Sequence, residues 1–72
     1  MQTHVGQLLR PTPETSWLVF SNIHSYPVQM TELIQEVPLS PLSIYIALNK
    51  LEEDGLIQVH AEEPLEWRLA DA

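Results

Sequence analysis

The stretch from Ser40 to Gly55 limits most what this chain can become, because it carries both ends of a helix in its own letters. Ser40 offers a side-chain acceptor to free backbone N–H groups, and Pro41 brings a φ already set for the first turn and no N–H to leave unpaired. At the other end Gly55 can take the left-handed conformation that closes a helix, and Leu56 behind it can fold back onto the last turn. A helix is predicted over Pro41–Asp54. At roughly 100° per residue, Ile44, Ala47, Leu48 and Leu51 fall on one side of it, an apolar stripe that other elements must cover.

The flanking sequence supplies those elements. Thr12-Pro13-Glu14-Thr15 repeats the start signal, a hydroxyl cap, a proline and an acid at the positive dipole end, and predicts a helix running to His24. Tyr26-Pro27-Val28 reads as a turn and a short extended piece, since the residue before proline is pushed out of the helical region. Met30, Leu33, Ile34 and Val37 match helical spacing and predict a short second helix over Met30–Glu36. Beyond Gly55, Leu56–His60 and Leu65–Leu69 read as strands, the latter with Leu65, Trp67 and Leu69 alternating with Glu66 and Arg68. Ala61-Glu62-Glu63-Pro64 is the expected hairpin tip. A chain of 72 residues holds one core, so residues 12–70 form one domain and residues 1–11, where Val5, Leu8 and Leu9 mix with Gly6 and Pro11, an N-terminal arm. Such short amphipathic pieces share a core as three helices backed by a small sheet, an α+β winged helix-turn-helix with an antiparallel β-hairpin wing.

The run Ser40-Pro41-Leu42-Ser43-Ile44-Tyr45-Ile46-Ala47-Leu48-Asn49-Lys50-Leu51-Glu52-Glu53-Asp54-Gly55-Leu56-Ile57 resembles the recognition-helix stretch of winged-helix regulators of the MarR, PadR and GntR kind. With its flanking elements the resemblance extends over about Thr12 to Ala70. It implies transcription regulation by a dimer whose third helix enters the major groove with arginine, lysine, amide and hydroxyl side chains. Here the outer side of that helix carries Leu42, Ile46, Asn49 and Glu53, flanked by Tyr45 and Lys50, with Ser43 in the first turn. Ile46 stands where those families often carry arginine, and the wing tip has Glu62, Glu63 and Pro64 in place of the usual basic residues. The same module also serves in protein docking, so the resemblance bears on fold more than on function.

Charge points away from nucleic acid. The net charge is -7 with only three basic residues, Arg10, Lys50 and Arg68, spread along the chain, and such a field repels phosphate backbones. DNA is therefore a disfavoured partner. No cysteine is present, which excludes disulfides and thiolate metal sites. Phosphate loops, zinc-ligand spacings and nucleophile elbows are missing. His4, His24 and His60 lie far apart, Ser40 and Ser43 are explained by a helix start, and Glu62 and Glu63 by a solvated turn. No catalytic residue, metal, cofactor or small-molecule substrate is expected. There is neither a long apolar run nor an export signal, so the expected location is cytoplasmic, nucleoid-associated or nuclear, without membrane contact.

In the first helix Trp17-Leu18-Val19-Phe20 places four large apolar residues in a row, with Leu18 expected to point away from the side shared by Trp17, Phe20 and Ile23. A helix apolar nearly all round is covered on more than one side, by the arm, a second copy or another protein. Trp17 and Leu18 are thus candidates for self-association into a homodimer. Three functions follow in order of expectation: a non-enzymatic adaptor that binds protein through the outer face of helix three or through helix one, a dimeric DNA-binding regulator, and an inhibitor whose acidic surface mimics DNA.

Overall fold

Ser40 caps its helix as the sequence implies, its Oγ accepting from the Ser43 N–H at 3.2 Å, and Thr12 does the same for Thr15 at 3.1 Å. A computed structural model describes residues 10–71, so most of the predicted arm, with His4, Val5, Leu8 and Leu9, lies outside the described residues. Its elements are α1 (Pro13–Phe20), β1 (Val28–Gln29), α2 (Met30–Glu36), α3 (Pro41–Glu53), β2 (Ile57–Glu62) and β3 (Leu65–Leu69). α3 closes on Gly55 at φ 78°, where the Gly55 N–H donates to Glu52 O and the Leu56 N–H to Leu51 O, both at 3.0 Å. These crossed bonds satisfy carbonyls the helix would leave open. The backbone of Leu56 folds back as predicted, while its side chain stays exposed.

α1 is shorter than predicted, ending at Phe20 instead of His24. Asn22 Nδ2 and Ser21 Oγ donate to Leu18 O at 3.0 and 2.8 Å, taking the acceptor that the next helical N–H would need. Side chains that bond locally compete with the helix in this way. The Asn22 N–H turns to Val19 O instead, and Ile23 swings into the core.

The buried cluster is the predicted stripe of α3, Ile44, Ala47, Leu48 and Leu51, covered by Val19 and Ile23 from the α1 side, Leu33 and Val37 from the α2 side, and Val28, Ile57 and Trp67 from the sheet. Ile34, one of the apolar residues whose spacing predicts α2, is 42% exposed. α2 has only seven residues, and Leu33 with Val37, one turn apart, already occupies its inner side. Ile34 is rotated away from that side.

The sheet runs β1-β3-β2, all antiparallel, so the last strand is the central one. Trp67 on β3 faces Val28 of β1 and Val59 of β2 across its two edges. The β2 register slips between Val59 and Ala61, leaving His60 unpaired in a bulge. β2 therefore continues through Ala61 and Glu62, which pair with Glu66 and Leu65, and the tip contracts to Glu63-Pro64. Helix, short strand, helix, turn, helix and hairpin make a winged helix-turn-helix layout.

Candidate functional site

The side of α3 turned away from the core is where this layout presents a free helix. Leu42 is 63% and Tyr45 43% exposed, Asn49 and Glu53 are exposed, and Ser43 and Lys50 are half-buried. Ile46, predicted at the centre of this open face, is half-buried instead. The chain leading into α1 brings Arg10 and Pro11 beside Ile46, Asn49, Lys50 and Glu53, which together line a shallow groove of about 260 Å³. α1 lies along α3, and the segment leading into it partly covers Ile46 while Asn49 and Glu53 stay exposed. The free apolar surface is thus displaced toward the first two turns, to Leu42 and Tyr45.

The lysine of this face is held by the protein's own acids. Lys50 Nζ lies 3.1 Å from Asp54 and 3.5 Å from Glu53 carboxylate oxygens. The hydrogen bond and charge of Asp54, reinforced by Glu53, hold the ammonium above the ordinary lysine range. A raised value means that the pair's contribution is complete at neutral pH and fades only as pH rises through the folded value, well into the alkaline range. Arg68 Nη2 lies 3.4 Å from Asp71, and with the Gln58 amide turned to satisfy both groups, the Gln58 oxygen accepts from the same guanidinium. Of the three cations, Lys50 and Arg68 are engaged internally.

On α1 the sequence reading is reversed for two residues. Leu18 packs against the core cluster, as does Phe20, and Val19 is buried within it. Trp17 is the outward residue, 67% exposed, with its ring 5.9 Å from that of Phe20. Glu62, Glu63 and Pro64 are exposed at the wing tip. On another part of the surface, a larger cleft of about 370 Å³ is lined by Asn22, His24, Tyr26, Glu32 and Glu36 among others, with the His24 and Tyr26 rings stacked at 4.7 Å. It is built from the loop after α1 and from α2, and no sequence motif marked it. Among the described residues, no three histidine or acidic side chains gather as a metal site would require, and no helix is long and apolar enough to cross a membrane.

No family model matches the chain, and neither a characterised protein nor a solved structure matches it.

Proposed function

We propose that this domain is a non-enzymatic winged-helix adaptor that docks a partner protein on the outer face of α3, centred on Leu42 and Tyr45. The observation that carries this reading is the reversal of the usual balance on that helix: its exposed outer residues Leu42, Tyr45, Asn49 and Glu53 are apolar, neutral or acidic, and its lysine is engaged by Asp54 and Glu53. Reading DNA requires cations free to replace counterions on phosphates. Docking protein requires large apolar side chains in a polar rim, which Leu42 and Tyr45 supply.

Leu42→Asp is the sharpest test. Since Leu42 is mostly exposed, its loss should change stability by less than about 0.5 kcal/mol, whereas Ile46→Asp, set against Arg10 and Pro11, should cost about 1–3 kcal/mol. Thermal melts separate the two. Partner capture by the immobilised protein should be lost in Leu42→Asp while its melt matches the parent. A parent that captures no protein, but binds DNA with an affinity falling steeply in salt, would instead establish the DNA reading.

Self-association is a second part of the proposal and rests on Trp17. At micromolar concentration, light scattering after size exclusion should give twice the 8.2 kDa chain mass for the parent and one chain mass for Trp17→Ser. A parent running as one chain removes the homodimer.

A further inference from the structure

The outer side of α3 is graded along its length. Leu42 and Tyr45 expose apolar surface near its start, and Glu52 and Glu53 are exposed in its last turn, followed by Asp54 at the cap. At about 100° per residue Leu42, Tyr45, Glu52 and Glu53 fall within one side of the helix, so apolar and acidic halves form one strip. The acids stand where the helix carbonyls already concentrate negative potential. Lys50, the basic residue of that turn, is shared between Asp54 and Glu53. Lys50 thus offsets part of the unfavourable charge at this end, while Glu52 has no ion pair among the described residues and stays available to a cation from outside.

We propose that the strip receives a cationic amphipathic helix of a partner protein, its apolar residues against Leu42 and Tyr45 and its lysines or arginines against Glu52 and Glu53. The inference rests on the docking reading above and gives the partner its chemistry. Charge complementarity selects this occupant over a second copy of the chain. Two α3 helices paired in parallel would bring Glu52 and Glu53 against their own counterparts. Paired antiparallel, they would lay each carboxylate over Leu42 and Tyr45 of the other copy, stripping it of water with no cation to meet it. A basic helix avoids both costs.

The test uses two probes, each a synthetic amphipathic helix about 14 residues long: one with leucines on one side and lysines on the other, and a twin with glutamates for the lysines. Amide NMR spectra of the protein should show the lysine peptide moving Leu42, Tyr45, Asn49, Glu52 and Glu53, and the glutamate twin moving none of them. The double variant E52Q/E53Q should weaken the lysine peptide about tenfold, and E62Q/E63Q, the same charge change at the wing tip, by less than about twofold. The first double variant should melt no lower than the parent, since it removes negative charge from a helix C-terminus. Equal weakening by both double variants would reduce the binding to diffuse attraction and overturn the inference. Binding of both peptides to the strip would overturn the charge assignment and leave the docking reading standing. If neither peptide moves the strip and Leu42→Asp keeps partner capture, both fall.

Discussion

Leu48→Ala is expected to cost about 3–5 kcal/mol, near the upper end for a buried leucine. Leu48 has no solvent exposure, and it sits between Ala47 and Leu51 in the stripe that α1, α2 and the sheet all cover. Three layers meet there, so no single element can relax into the hole without losing contact with another. A chain of 72 residues has a total stability on the order of 4–11 kcal/mol, so this one truncation can consume most of it. Chemical denaturation checks the expectation: the midpoint should fall sharply with the denaturant slope unchanged. A loss under about 1 kcal/mol would mean that the packing around α3 is loose enough to collapse.

Much of this fold is legible in the letters because its decisive signals are local. A serine-proline pair and a glycine fifteen positions on bracket α3, and the caps are made by residues within a turn of one another. The stripe of Ile44, Ala47, Leu48 and Leu51 needs only the helical period to be found. What the sequence could not convey is whatever depends on a distant segment or on the competition for one acceptor. α1 stops early because Asn22 and Ser21 reach the Leu18 carbonyl, a choice that apolar periodicity does not record. Trp17 and Leu18 exchange roles because α1 turns Val19 into the core, which puts Trp17, two residues earlier, on the far side of the helix and leaves Leu18 at its flank.

The candidate face shows the same division. Helical spacing correctly places Leu42, Asn49 and Glu53 on the outside of α3. It also places Ile46 there, and the departure comes from Arg10 and Pro11, more than thirty positions away. The engagement of Lys50 by Asp54 was available in principle, since residues four apart on a helix are neighbours. Its consequence is electrostatic: a lysine counted as a flanking cation in the sequence is spent within the protein. The central position of β3 was harder to foresee, because β1 is two residues long and carries no strand pattern of its own.

That central position sets the second large effect. Trp67→Ala should cost about 3–5 kcal/mol from the lost burial of the ring and the hole it leaves. Trp67 is 2% exposed and belongs to the same cluster as Leu48 and Ile44. On β3 it stands opposite Val28 on one edge and Val59 on the other, and among the described residues neither β1 nor β2 pairs with any strand but β3. A two-stranded hairpin alone is marginal in water, so the wing depends on its buried residues, Trp67 the largest of them beside Val28 and Ile57, to fasten it to the helices. Loss of the ring should therefore release the sheet as well as weaken the core. Hydrogen exchange should show the β2 and β3 amides losing protection at least as early as those of α3, and the thermal melt should broaden or vanish. A variant that melts like the parent would mean that the sheet does not rest on the helices through Trp67. Val28 and Ile57 would then be the residues that hold the sheet against the helices.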